Sequence, residues 1–323
     1  MTSRVPDTPN WRRVVRVDYG GCLVAGPEGS RPARTRETVA VGDWVEVSEH
    51  DDLVVEAIAE RRTQVTRRDP AGLLQVLAAN VDRVFVTAPA DRLSMARVER
   101  EVAIGWDSGA EPVVLLTKAD LDDGSTATVL RERLLGVDVV PVSAAENEGV
   151  DAIRYLLQPD LTAVLIGPSG AGKSTLVNAL LGESAASTGA VREGDHRGRH
   201  TTTARELHAV PTGGFLIDTP GLRSLSLAVD ADAVSATFPD IVELAVDCRF
   251  RDCTHGHEPG CAVLAAASDG TLSADRIDSY VRLMKELDYQ LRRDDPLAAQ
   301  AHAALWRQRR MDARRLYRER GHR

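Results

Sequence analysis

The chain has 323 residues, 43% of them hydrophobic and 27% charged, and a formal net charge of −8. That length accommodates two or three domains with ordinary cores. With no apolar run of about 18 residues and no signal-like segment in its opening "MTSRVPDTPNWRRVVRV", the chain is expected in the cytoplasm with no membrane partner. Its acidity excludes nucleic-acid binding driven by overall charge, so any such partner must be met by local basic patches.

Residues 11 to about 65 alternate apolar and polar in short runs ("RVVRVDYGGCLVAG", "VGDWVEVSE", "DLVVEAIAE"), which predicts a small antiparallel β domain. Between two strands, "GPEGSRPARTRETVAVGD" reads as a long loop carrying Arg31, Arg34 and Arg36. A five-stranded barrel of the oligonucleotide-binding (OB) type is expected, because that fold holds nucleic acid on one face and its flanking loops. A solvated β module with charged turns accounts for the composition as well. "RRTQVTRRDP" at 61–70 then reads as a link. From 81 to about 222, the strand-like runs "VDRVFVTA", "PVVLLT", "VDVVPVSA", "LTAVLIG" and "GGFLIDT" alternate with helical patterns, predicting an α/β nucleotide-binding core with a parallel sheet. Beyond 222 the strand signals fade and helices are expected, the last with Asp295 as N-cap and Pro296 at its first position. The expected domains are 1–68, 69–226 and 227–323.

"LTAVLIGPSGAGKSTLVNALLG" is a buried strand, a glycine-rich turn and an amphipathic helix. Its turn is Gly167, Pro168, Ser169, Gly170, Ala171, Gly172, Lys173, Ser174 and Thr175. The glycines let backbone N–H groups curl round phosphate oxygens, Lys173 adds a charge between the β and γ phosphates, and Ser174 offers its hydroxyl to Mg²⁺. "DTPG" at 218–221 puts Asp218 where it can hold Mg²⁺ through water and the Gly221 N–H within reach of the γ phosphate. "GRHTTTAREL" lies between the two motifs, and one of its threonines, with Thr202 preferred, is expected to ligate Mg²⁺ and sense that phosphate.

The base is read by "LLTKAD": Asp120 presents two acceptors to guanine's paired donors, and the Lys118 stem covers one ring face. Thr117 stands where Asn is usual, which sacrifices a hydrogen bond of order 1 kcal/mol, and Ala119 completes the turn. In "PVSA", Ser143 and Ala144 end a strand, where the Ala144 N–H can meet the guanine carbonyl. Base motif therefore precedes phosphate motif, the reverse of the usual order, which is the signature of a circular permutation.

"DCRFRDCTHGHEPGC" presents Cys248, Cys253, His255 and Cys261, spaced C-x4-C-x-H-x5-C, with His257 as an alternative to His255. Three thiolates and an imidazole make a closed structural zinc site in a stretch too polar to fold on its own apolar content. The fourth cysteine, Cys22, stands far away, which argues against a disulfide framework.

The barrel, the permuted order of "LTKADL", "GPSGAGKST", "GRHTTT" and "DTPG", and the Cys/His cluster together resemble the bacterial ribosome small-subunit-dependent GTPase A family, RsgA or YjeQ, over nearly the whole chain. The resemblance implies an assembly factor that binds the immature or newly matured small ribosomal subunit, contacts its rRNA, hydrolyses GTP to GDP and leaves. It also implies Mg²⁺ and Zn²⁺ as cofactors and stimulation by the subunit; the protein is expected to be a monomer. Leu222 occupies the place where many GTPases carry a water-orienting Gln, so His200, beside the threonines, is the expected water-positioning catalytic residue. Arg309, Arg310, Arg314 and Arg315 stripe a basic tail suited to RNA phosphates. The rival readings are a GTP-gated module binding RNA or single-stranded DNA, with hydrolysis incidental, and a small-molecule nucleotidase, for which no substrate-pocket signature exists.

Overall fold

A computed structural model describes residues 10–18, 21–49, 52–68, 73–182, 205–211, 213–219 and 229–294. His200, Thr202, Gly221, Leu222 and the basic tail expected from Asp295 onward lie outside the described residues. The chain divides into two units, Met1–Val242 and Glu243–Arg323.

The first unit opens with five strands, β1 (Trp11–Asp18), β2 (Gly21–Gly26), β3 (Gly29–Arg34), β4 (Trp44–Glu49) and β5 (Leu53–Ile58). They pair in the order β1-β2-β3-β5-β4, and β4 returns to β1, so the sheet closes into a barrel. Alternate positions point inward, and Val14, Val24, Val45, Val47 and Leu53 fill the interior with Cys22. Burial, with Asp43 nearby, pushes the Cys22 thiol up to about 11, so it behaves as a small core hydrophobe.

The segment expected to be a loop contains a strand. Gly29–Arg34 pairs antiparallel with β2, from Gly26↔Gly29 to Cys22↔Ala33. Its glycine, serine and proline carry little strand propensity, and only Ala33 is buried, so no alternation betrays it. Pro32 is tolerated because β5 pairs only with Ala33 and Arg34, leaving the outer edge free where Pro lacks its N–H. The expected link likewise contains a strand: β6 (Gln64–Arg68) pairs with β7 (Leu74–Ala79) in a two-stranded ribbon.

The α/β core follows, with β8 (Arg83–Pro89), β9 (Glu111–Thr117), β10 (Asp138–Val142), β11 (Thr162–Ile166), β12 (Glu206–Ala209) and β13 (Phe215–Asp218). The order β10-β9-β8-β11-β13 is parallel throughout, while β12 pairs antiparallel with β13. The core sheet is thus parallel over five strands, as expected, and β12 adds one antiparallel strand beside β13. The crossover helices among the described residues are α1 (Met95–Asp107), α2 (Ser125–Arg133), α3 (Val150–Leu156) and α4 (Lys173–Leu181). β8, β9 and β11 are apolar on both faces because helices cover both. Phe85, Leu115, Leu165, Ile153, Leu176 and Leu180 sit in one fully dry cluster. The hairpin β12–β13 also joins core and barrel in one sheet, since β12 pairs with β1 at Arg16↔Glu206.

After α5 (Ala231–Thr237), N-capped by the Asp230 side chain, and α6 (Pro239–Ala245), the second unit holds the Cys/His segment, α7 (Ala262–Ser268) and α8 (Ala274–Asp294). No described helix is long and apolar enough to cross a membrane.

Candidate nucleotide site and metal centre

Parallel strands gather their carboxyl ends on one edge, and ligands bind there where the strand order reverses. Here β11 is that point, with β8 on one side and β13 on the other. Its buried run ends at Ile166, and the chain turns through Gly167 (φ +138°), Gly170 (+73°) and Gly172 (+86°) into α4, whose first residue is Lys173. All three values lie where L side chains are strained, which is why glycine recurs at this spacing. The turn's floor is Thr87 of β8, whose hydroxyl donates to the Ile166 carbonyl at 3.0 Å. Lys173 Nζ donates to the Gly167 and Pro168 carbonyls, both at 2.8 Å, folding the ammonium over its own loop. Burial lowers its pKa against the pull of Glu101 and Asp218. Ser174 and Thr175, in the first turn of α4, are exposed and available to phosphate and metal. The adjacent exposed Ser169 accepts at its carbonyl from Arg92.

Asp218 ends β13, half-buried. Burial raises its pKa, opposed by His208 and Lys173, the environment of a carboxylate that gains from a nearby cation. The next residue, Thr219, is buried and donates from its hydroxyl to Leu165 O at 2.6 Å, holding the β13 end against β11. An exposed hydroxyl and a carboxylate flanking a phosphate cradle are oxygen ligands of the kind Mg²⁺ takes, so the residues present fit that ion.

A cavity of about 300 Å³ adjoins the cradle, lined among others by Thr117, Lys118, Asp120, Ser143, Ala144 and Thr175. β9 ends at Thr117, whose buried hydroxyl donates to Ala171 O at 2.7 Å and ties the base strand directly to the phosphate loop. Lys118 then takes a left-handed conformation (φ 57°) that turns the chain sharply into a 3-10 turn over Ala119–Leu121. Its ammonium donates to Asp91 Oδ2 at 2.8 Å, which lays its stem along the site and holds the Asp91 carboxyl below its usual range. Asp120 is exposed within the cavity wall. On the far side Ser143 exchanges backbone bonds with Glu148 (2.9 and 3.0 Å), fixing the turn that carries Ala144.

The structure thus brings the described base-reading and phosphate-reading positions to one edge of one sheet. Sequence reasoning missed Thr87, Asp91, Arg92 and Thr219, all at strand carboxyl ends or just beyond. That location was the available signal, since ligand crevices form there. It also missed Glu101 of α1, buried near Lys173 with Oε2 lacking any hydrogen-bond partner.

In the second unit, one ligand atom each from Cys248, Cys253, His255 and Cys261 falls within 4.8 Å of the others. Cys248 Sγ lies 3.8 Å from Cys261 Sγ and 3.7 Å from His255 Nδ1, and that nitrogen lies 3.4 Å from Cys261 Sγ. Zinc bonds of about 2.3 Å to sulfur and about 2.0 Å to nitrogen place tetrahedral neighbours about 3.5–3.8 Å apart, so the donor set fits that ion. Burial and the neighbouring sulfurs push Cys253 up to about 11, a cluster that a cation would relieve. His257 is not in the group. Cys261 also N-caps α7, its sulfur accepting from Leu264 N, and the His255 ring meets Tyr280 of α8 at 5.9 Å.

A glycine cradle, an Asp at the end of the neighbouring strand, and a base cavity built from strands upstream of the cradle define a circularly permuted P-loop GTPase carrying a cysteine–histidine cluster that fits a metal ion. The profile of the RsgA GTPase family matches residues 58–228. Small ribosomal subunit biogenesis GTPase RsgA of Streptomyces coelicolor is 46% identical over 85% of this chain and 79% of its own length. The protein of the same name from Opitutus terrae is 45% identical over 83% and 78%. YjeQ from Thermotoga maritima has a similar structure (TM-score 0.63, 25% identity, 86% of this chain and 98% of that one). So does YloQ, described as a circularly permuted GTPase (0.63, 26%, 87% and 95%). The chain belongs to the RsgA GTPase family and is a GTP hydrolase.

Proposed function

We propose that the protein binds the small ribosomal subunit during its late maturation, hydrolyses GTP when the subunit stimulates it, and is released by that turnover. The observation that carries the reading is the Thr117–Ala171 bond, which couples the base strand to the phosphate loop in a family whose curated members are named for small-subunit biogenesis. In it, Asp120 and Ala144 read guanine; residues 167–175 hold phosphates; and Ser174, Thr202 and Asp218 serve Mg²⁺, with Gly221 at the γ phosphate. Cys248, Cys253, His255 and Cys261 hold one structural Zn²⁺, and His200 positions the attacking water. The barrel of 1–68 and the basic tail contact rRNA, the GTPase domain is 69–226 and the zinc domain 227–323. The protein acts as a cytoplasmic monomer.

The test is GTP hydrolysis with and without purified small subunits, with large subunits as control. Strong stimulation by small subunits alone is expected, and His200→Ala should remove it. Equal rates in all three conditions, with nucleotide and zinc shown to be bound, would overturn the reading. Release of subunits by a nonhydrolysable GTP analogue as fast as by GTP would make occupancy, and not turnover, the driver.

A further inference from the structure

A second cavity, of about 700 Å³, opens in the first unit where β1 of the barrel meets the core sheet. It lies at the other end of the strands from the GTP site. Thr162 and Phe215, which line it, begin β11 and β13, whereas the phosphate loop and Asp218 stand at the ends of those strands. A strand's length, roughly 15 Å, separates the two sites. A concave, largely apolar cavity at a domain seam is where small ligands bind.

Strand periodicity builds it. Val14 points into the barrel core, so its neighbours Trp11, Arg13 and Val15 face the cavity. Trp44 stands opposite Arg13 on β4 and supplies a second indole. The Arg13 guanidinium lies between two rings, 5.6 Å from that of Trp44 and 5.1 Å from that of Phe215. One edge is anchored: Nη2 donates to Thr162 Oγ1 at 2.8 Å and to the Asn80 carbonyl at 3.4 Å. The other edge is not, for Nε is buried with no acceptor, in a residue only 8% exposed. Burial pushes the guanidinium down to about 10, with Asp82 opposing, so it remains a cation at neutral pH. A dry, unpaired N–H on a cation is costly and asks for an acceptor. Arg62 and Asp82, paired at 3.4 Å, and Asp160 also line it, so among these groups Arg13 is the cation without a carboxylate bonded to it. An occupant that satisfies this lining is flat, to lie against indole rings, and carries an anionic or acceptor oxygen.

We propose that this cavity is a second nucleotide site, separate from the GTP site, that takes a base against Trp11 and Trp44 and an acceptor oxygen on Arg13 Nε. A free mononucleotide and an unpaired nucleotide of an RNA share that chemistry. The test uses the full chain saturated with GDP and Mg²⁺, so that the guanine site is filled. AMP and penta-adenylate are titrated separately while tryptophan emission is followed. Saturable quenching is expected, weakened at least tenfold by Trp11→Ala, a partly exposed side chain on the rim, and by Arg13→Lys, which keeps the charge and deletes the Nε donor. GDP affinity measured on the same variants shows that the fold and the other site survive. AMP binding as tightly as penta-adenylate identifies the free nucleotide as the ligand, and binding of the oligomer alone identifies RNA. No saturable binding of either probe, or oligomer binding untouched by both substitutions, overturns the site. Because GDP affinity and subunit-stimulated turnover are separate readouts, failure here is distinguishable from failure of the ribosomal reading.

Discussion

Replacing Glu101 by Gln should make the protein more stable at alkaline pH and leave it nearly unchanged at acid pH. Glu101 sits on α1, only 8% exposed, with Oε2 lacking a hydrogen-bond partner. Burial raises its pKa from the ordinary 4.5 to about 7, even though Arg97, Lys173 and Arg100 favour the charged form. A carboxyl whose pKa is raised on folding holds its proton longer in the folded state. Its contribution to stability is therefore complete below about pH 4.5, declines as pH rises, and is gone above about pH 7. A shift of about 2.5 units at 1.36 kcal/mol per unit corresponds to about 3 kcal/mol between those limits. The Gln side chain does not titrate, so the difference between variant and parent should grow from near zero at pH 4.5 to about 3 kcal/mol at pH 8.5. With a urea slope of about 3 kcal/mol/M, that is a midpoint shift of about 1 M. Tryptophan emission is a suitable probe, because Trp11, Trp44 and Trp106 all lie in the first unit, and Trp106 lies on α1 itself. Parallel stability-versus-pH curves for parent and variant would refute the reasoning, since they would mean that Glu101 ionises in the fold without penalty.

A Cβ at position 167 would collide with the Thr87 hydroxyl and come 2.8 Å from the Thr87 carbonyl, at a φ of +138°; Gly167→Ala should lower GDP affinity at least tenfold, as read by a fluorescent GDP analogue, and unchanged affinity would mean the cradle is looser than described. Asp120→Asn replaces two acceptors by one acceptor and one donor, with loss of charge-assisted bonds of about 1.5–3 kcal/mol. GTP affinity should fall about 100-fold and xanthosine triphosphate should bind better than GTP; an equal loss for both would argue against Asp120 as the base reader. The purified chain should carry one zinc by elemental analysis, and Cys248→Ser should release it together with helical circular dichroism. The coupling follows from Cys261, which caps α7 while contributing to the cluster. Retained zinc in that variant would exclude Cys248 as a ligand.

The nucleotide site was legible because its chemistry is local. Backbone N–H groups, three glycines and a lysine within nine residues admit few other uses, and the base motif rides on a buried strand whose apolar run is unmistakable. What escaped was set by distance or by pairing. Thr117 read as a lost hydrogen bond, yet its hydroxyl bonds Ala171, 54 residues along the chain, a partner no spacing announces. Gly29–Arg34 read as a loop because strand pairing there is carried by the backbone, with one buried side chain to mark it. β12 has four residues and a single buried position, too few for a period to register. Glu101 and Arg13 carry no signal in the sequence, since isolated Glu and Arg are rarely buried; only tertiary contacts reveal them as dry, each with an unpartnered polar atom.

The permutation costs the site nothing because its geometry belongs to the sheet. β11 pairs with β8 and β13 in parallel register, and the base strand β9 hangs on β8 through seven consecutive pairs, Arg83↔Glu111 to Pro89↔Thr117. None of these pairings depends on whether β8 or β11 comes first in the chain. The hairpin of β12 and β13 carries the core sheet on to the barrel. In sequence, β12 and β13 follow the phosphate loop, and in space they stand between that loop's strand and β1 of the barrel. β13 is held to β12 by four residue pairs and β12 to β1 by one, Arg16↔Glu206. β13, which ends in Asp218, is therefore paired along its length with β12, and β12 meets the barrel at one residue pair. The barrel is tied to the core a second time through Arg13, which donates to Thr162 Oγ1 at 2.8 Å and lies 5.1 Å from the Phe215 ring at the start of β13, so a displacement of β13 must strain that contact as well as the Arg16–Glu206 pair.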